Sequence, residues 1–167
     1  MRFLVRYIED GSYQAAWEHG NGGAQFWIDT DDFDELKSKD KKHFHDGLRL
    51  RYLRQEDGRF TAIWRPGSGA QFWEANIGFN DFKSKDEEFR KQGLMLMHFC
   101  DEAGKYTGYW QAGGKDYSWI STSHNDAFKE SITINKDRGR LAVSFGGDQF
   151  CVVYHEDTGD QKFLNGM

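Results

Sequence analysis

Proline is nearly absent from this chain: Pro66 is the only one in 167 residues. Cysteine is scarce as well, with Cys100 and Cys151 alone, too few for a disulfide framework. Two reduced thiols are expected, with a single bridge as the alternative. No apolar run approaches the roughly 18 residues that a membrane-spanning helix needs. Basic residues are the minority, 22 Lys and Arg against 27 Asp and Glu, so the basic footprint of a nucleic-acid binder is missing. The N-terminal stretch from Met1 to Tyr7 has no apolar core, being broken by Arg6 and followed by Glu9. No secretory signal is read there, which makes a cytoplasmic location the expectation and secretion the alternative. Hydrophobic residues are only 38% of the chain, and mean hydropathy is −0.82. What is present in excess is rings: 14 Phe, 7 Tyr and 6 Trp, 16% of the whole. Disordered chains are poor in aromatics. The reading is therefore one globular domain, 1–167, whose core is built largely from rings.

The rings recur with a period. Gly23-Ala24-Gln25-Phe26-Trp27 returns 46 residues later as Gly69-Ala70-Gln71-Phe72-Trp73, and Lys37-Ser38-Lys39-Asp40 returns as Lys83-Ser84-Lys85-Asp86. A third copy is degenerate but in register: Trp73 maps to Trp119, Phe82 to Phe128 and Gly93 to Gly139. Periods of this size mark repeat architectures. The copies run over about 3–47, 48–93 and 94–139, with a partial copy over 140–167.

Each copy reads as a hairpin followed by a helix. Alternating residues around Asp-Gly, as at Glu56-Asp57-Gly58, signal a tight hairpin. The returning strands share a ring–small–ring pattern, Phe60/Ala62/Trp64 and Tyr106/Gly108/Trp110. The small residue lets a helix approach the sheet closely. Helices are expected over 31–46, 80–92 and 125–137, with Asp31/Asp32, Asn80/Asp81 and Asn125/Asp126 at their starts and Gly47, Gly93 and Gly139 just past their ends. Their apolar stripes are thin: Phe33, Leu36 and Phe44; Phe79, Phe82 and Phe89; Phe128 and Ile132. The expected fold is α+β: three and a half hairpin–helix repeats forming a curved, largely antiparallel sheet with helices on one face. Ala24–Ile28 and Ala70–Glu74 are either short extra strands or parts of the connections.

The run Phe60-Thr61-Ala62-Ile63-Trp64-Arg65-Pro66-Gly67-Ser68-Gly69-Ala70-Gln71-Phe72-Trp73, continued by Phe82-Lys83-Ser84-Lys85-Asp86 and Gln92-Gly93-Leu94-Met95-Leu96, resembles the core of the bacterial tandem repeat domain family. Such repeats also form the N-terminal domain of polyglycine hydrolases. The resemblance covers about residues 3–120, and the third copy departs from it at Trp110-Gln111-Ala112-Gly113-Gly114-Lys115. It implies an accessory domain that docks a substrate or a surface, the chemistry belonging to an attached serine-hydrolase domain of the β-lactamase type.

Among chemistry-bearing residues, the repeated Gly/Gln/Trp loops are the leading candidates. A Gln amide beside an exposed ring can bond sugar hydroxyls while the ring face meets the C–H side of a pyranose, and repetition adds avidity. Gln25, Phe26, Trp27, Gln71, Phe72, Trp73, Tyr117 and Trp119 are the ligand-binding candidates. In the competing reading the rings fill the core and the Gln caps backbone groups. Asp40 and Asp86 fall on the apolar stripe, where the third copy has Ile132; a buried carboxylate there needs partners, and each either accepts bonds from a neighbouring loop or walls a pocket. Ser38-Lys39-Asp40-Lys41 is a formal S-x-x-K without the partner motifs of that enzyme class. His43 and His45 would diverge on a helix, and Asp29/Asp31/Asp32 lacks the glycine and distal Glu of a calcium loop. Ser121, Ser123 and His124 form no recognisable triad order, and His98 reads as a core histidine. Met95, Met97 and Phe99 are placed on the strand face opposite the core, as a partner surface or a face covered by the tail. The expected function is a non-catalytic, lectin-like module for a glycan, with no cofactor and no metal; the alternatives are docking of an extended polypeptide and a serine hydrolase.

Overall fold

The computed structural model describes residues 2–9, 12–18, 24–113, 116–123, 127, 130, 140–146 and 149–155. The chain is α+β, and every pairing among its described strands is antiparallel. The order is β1 (Arg2–Glu9), β2 (Ser12–Glu18), β3 (Phe26–Thr30), α1 (Phe33–His45), β4 (Leu48–Glu56), β5 (Arg59–Pro66), β6 (Gln71–Gly78), α2 (Phe79–Lys91), β7 (Leu94–Glu102), β8 (Lys105–Ala112), β9 (Tyr117–Thr122), β10 (Arg140–Gly146) and β11 (Gln149–His155). The expected single curved sheet is not formed. The strands divide into one two-stranded sheet, β1-β2, and three three-stranded sheets ordered β3-β5-β4, β6-β8-β7 and β9-β11-β10. The expected third helix, over 125–137, lies almost wholly outside the described residues.

The residues before each helix are strands, which resolves the alternative left open at Ala24–Ile28 and Ala70–Glu74. Each of these strands pairs with the returning strand of the hairpin that follows its helix, β3 with β5 and β6 with β8. The sheet is thus completed by strand, helix and hairpin in that order, and the returning strand lies in the middle. That central position explains its ring–small–ring pattern. Trp64 and Trp110 are fully buried, and a Cβ on Gly108 would lie 3.1 Å from the Phe82 ring and 2.9 Å from Phe99 Cβ.

Local signals account for the turns and helix ends. Asp57 and Gly58, and Ala103 and Gly104, all take positive φ, as a tight right-twisting hairpin requires. Gly47 and Gly93 sit past the two helices at φ near +78°, where a side chain would be strained. Asp32 caps α1 by accepting from the backbone N–H of Asp34 and Glu35. In α2 the cap is Gly78, with no side-chain bond, because the helix starts at Phe79, ahead of the expected Asn80. The helices bury less than their stripes suggested: Leu36, Phe82 and Phe89 are buried, while Phe33, Phe44 and Phe79 remain 39–48% exposed.

One further correction has a clear cause. The register slips between Leu50 and Tyr52 and again between Leu96 and His98. Each bulge reverses the alternation, so Leu53 and Phe99 turn to the helix side. Phe99 packs 5.6 Å from Phe82 instead of joining Met95 and Met97 on the other face. Those methionines are half-buried, and Met97 packs against the core beneath α1.

Candidate functional site

The two carboxylates on the helix stripe are each bonded through both oxygens. Asp40 Oδ1 accepts from the Trp64 indole at 2.8 Å, and Oδ2 from the Trp73 indole at 2.8 Å. Forty-six residues further on, Asp86 Oδ1 accepts from Trp110 and Oδ2 from Trp119, both at 2.9 Å. Asp86 also accepts from the Tyr117 hydroxyl and lies 3.4 Å from Arg90 Nη2. Burial and the Asp86 charge raise the Tyr117 pKa, which keeps the hydroxyl protonated and donating. The expected partner of these carboxylates was a neighbouring loop. The actual partners are indoles 24 and 33 residues ahead, so each carboxylate ties its helix to two strands.

Strand alternation then divides each ring pair. Trp73 turns toward α1 and Asp40, whereas Phe72 turns toward α2 and stacks on Phe89 at 5.2 Å and 18°. Phe26 does the same on α1, lying 4.9 Å from His43, which itself lies 4.8 Å from buried Trp64. Burial first, then Lys42 and Lys39, lower the His43 pKa, against the opposing pull of Asp46 and Asp40.

Gln71 is also engaged by the fold. Its Oε1 accepts from Leu50 N at 2.7 Å and its Nε2 donates to Leu50 O at 2.9 Å. This caps the outer edge of β4, and other side chains of the second sheet continue the task. Tyr109 OH donates to Arg51 O at 2.8 Å, His98 Nδ1 donates to Leu53 O at 3.1 Å, and Cys100 Sγ lies 3.2 Å from Gln55 N. An open strand edge is a liability; here it is covered by side chains and not by another strand. His155 Nε2 meets Leu96 O at 2.5 Å at the next boundary. The core reading of His98 is met: burial lowers its pKa to about 4. Burial also lifts Cys100 to about 11 and Cys151 to about 12, so both thiols stay protonated.

The sequence candidates therefore separate. Tyr117 is buried and Trp119 half-buried, both on Asp86; Gln71 and Trp73 are held internally. Gln25 is half-buried. Phe26 at 44%, Trp27 at 61% and Phe72 at 44% exposure present ring surface to solvent, joined by Phe44 at 42% under the Arg49 guanidinium, 3.7 Å away. Sequence reasoning missed Phe44 and Arg49 because the first was assigned to the core. Ser38, Lys39 and Lys41 are exposed on α1, and Ser121 donates to buried Asp101 at 3.0 Å. Among the described residues no group of His, Cys, Asp and Glu is placed to hold a metal ion, and no helix is long and apolar enough to cross a membrane. Neither a protein-family model, nor a curated protein, nor a solved structure matches the chain.

Proposed function

We propose that the protein is a non-catalytic binding module for a saccharide, with Phe26, Trp27 and Phe72 as the ring platforms. One observation carries the reading: in a chain with mean hydropathy −0.82, rings at 44–61% exposure recur at the start of β3 and of β6. Large exposed apolar surface in a soluble domain points to a binding site. The platforms are also backed. Phe72 rests on Phe89, and Phe26 on His43, which itself packs on Trp64, so little side-chain freedom remains to be lost on binding. The internal bonds of Gln71 and Trp73 remove them from direct contact and make them supports of the platform strand.

The test is a glycan array probed with the full chain, followed by titration of the best binder against Phe26→Ala, Trp27→Ala and Phe72→Ala. Loss of at least about tenfold in affinity at one of these positions, about 1.4 kcal/mol, is expected with the fold intact. Binding of no glycan, or unchanged affinity in all three variants, refutes the reading. Binding of a glycine-rich polypeptide in place of glycans would favour the docking role implied by the resemblance to the repeats of polyglycine hydrolases.

A further inference from the structure

The bulge in β4 does more than return Leu53 to the core. It leaves Arg51 outside the ladder, with neighbours Leu50 and Tyr52 paired to Trp64 and Ile63. The Arg51 carbonyl is held by Tyr109 OH, so its side chain leaves the sheet from a fixed point. Arg51 Nη1 donates to Gln111 Oε1 at 3.1 Å, and that oxygen lies 3.4 Å from Gln71 Nε2. Arg49 comes from the same stretch. Its Nε donates to Gly69 O at 2.8 Å, and its Nη1 to Leu48 O at 2.8 Å and Phe44 O at 3.2 Å. The loop after β5 closes over both stems: a Cβ on Gly67 would lie 2.7 Å from Arg51 Nη2 and 3.1 Å from Arg49 Cγ.

The Arg51 guanidinium and the stem of Arg49 thus lie beneath one glycine, and the Arg49 guanidinium sits over an exposed ring. Among the described residues neither has a carboxylate partner. Arg49 Nη2 and Arg51 Nη2 and Nε make no hydrogen bond among those described, in a chain of net charge −5. Two guanidiniums two residues apart on one strand, each with donors to spare and no acid partner, favour an anion, and their fork suits the flat or tetrahedral oxyanion. Met95 and Met97 stand at the corresponding positions of the third copy, so that copy carries no such pair of charges.

We propose that Arg49 and Arg51, with Gln111 and the exposed face of Phe44, form an oxyanion subsite that takes the sulfate or carboxylate group of an acidic saccharide. This rests on the saccharide-binding reading and names the class of saccharide. The experiment titrates the full chain by calorimetry with a sulfated hexasaccharide and with its unsulfated counterpart, at two ionic strengths. The sulfated ligand binds at least about tenfold more tightly, as a charge-assisted bond warrants, and loses that advantage at higher salt. Arg51→Gln removes the preference without changing affinity for the neutral ligand. Gly67→Ala, which displaces the Arg51 head without altering charge, does the same. Equal affinity for the two ligands, or a preference that survives both variants, overturns the subsite while leaving saccharide binding standing. If neither saccharide binds, sodium sulfate at constant ionic strength is followed through the Nε–H signals of Arg49 and Arg51. Shifts abolished by the two variants support the subsite and discard the saccharide; no shift overturns both.

Discussion

Replacing Asp86 by Asn tests the central structural claim, that one carboxylate fastens α2 to two strands. The change is nearly isosteric, so packing is preserved and bonding alone is altered. Asp86 accepts from two indoles at 2.9 Å and from the Tyr117 hydroxyl, with Arg90 at 3.4 Å. Asn has one acceptor oxygen; its NH2 group faces an indole N–H whichever way the amide is turned. Losing one bond to a charged acceptor costs about 1.5–3 kcal/mol, and stranding a buried donor about 1–3 kcal/mol more. The expected loss is about 3–5 kcal/mol, a large share of the roughly 5–15 kcal/mol that holds a domain folded. For a chain of this length each kcal/mol lowers Tm by about 2–4 °C, so a fall of about 10 °C is expected. Urea and thermal unfolding followed by tryptophan emission and circular dichroism measure it. Asp40→Asn, with two donors on a half-buried carboxylate, should cost less, about 1–3 kcal/mol. In a Trp119→Phe background the Asp86→Asn penalty should shrink by about 1–2 kcal/mol, because the stranded N–H is gone. A penalty under about 1 kcal/mol for Asp86→Asn, or no coupling to Trp119, would refute the fastening argument.

Gln71→Ala strands both polar groups of buried Leu50 and should cost about 2–4 kcal/mol in urea titrations; a neutral result would show that the β4 edge needs no cap. Gly108→Ala drives a Cβ to 2.9 Å from Phe99 Cβ and 3.0 Å from the His98 carbonyl, and should destabilise by about 1–3 kcal/mol, with the far-UV spectrum retained. His98 gives a pH dependence. Its pKa falls from 6.5 to about 4 on folding, so between those values the unfolded chain binds a proton that the folded chain refuses. Stability contributed by neutral His98 is complete above pH 6.5 and declines toward pH 4, by about 1.4 kcal/mol per unit; chemical denaturation across that range should show a slope that His98→Phe removes.

The period of 46 residues made the hairpins, their Asp-Gly turns and the C′ glycines legible, because each rests on a local backbone requirement. The ring–small–ring strands were legible for the same reason: Gly108 and Ala62 are small wherever a helix comes close. The bulges were not. A one-residue slip leaves no mark in the composition of β4 or β7, yet it decides whether Leu53 and Phe99 face the core. Thin helical stripes misled in the opposite sense, since Phe33, Phe44 and Phe79 fit the 3.6-residue period but stand at helix ends, where rings of the sheet meet Phe33 and Phe79 without covering them. The indole–carboxylate bonds had a visible signal that went unread. Asp40, Trp64 and Trp73 keep the same spacing as Asp86, Trp110 and Trp119, and where the Asp gives way to Ile132 in the third copy, the Trp gives way to Tyr154 in the partial copy that follows.

The strand that begins each sheet unit ties these observations into one argument. β6 runs between two helices, and adjacent residues on a strand must point to opposite sides. A single ring would serve one helix and leave the other side unfilled; the pair Phe72/Trp73 serves both, Phe72 resting on Phe89 of α2 and Trp73 reaching Asp40 of α1. The two rings are not equivalent, because only the indole has an N–H for the carboxylate. Trp73 is consequently committed by hydrogen bonding, while Phe72 is held by stacking alone and keeps an exposed face. The same alternation sends Phe26 onto His43. Surface rings in this protein are thus a consequence of joining one unit to the next, and a ligand that uses them reads the seams between units, beside which the Arg49–Arg51 pair also lies.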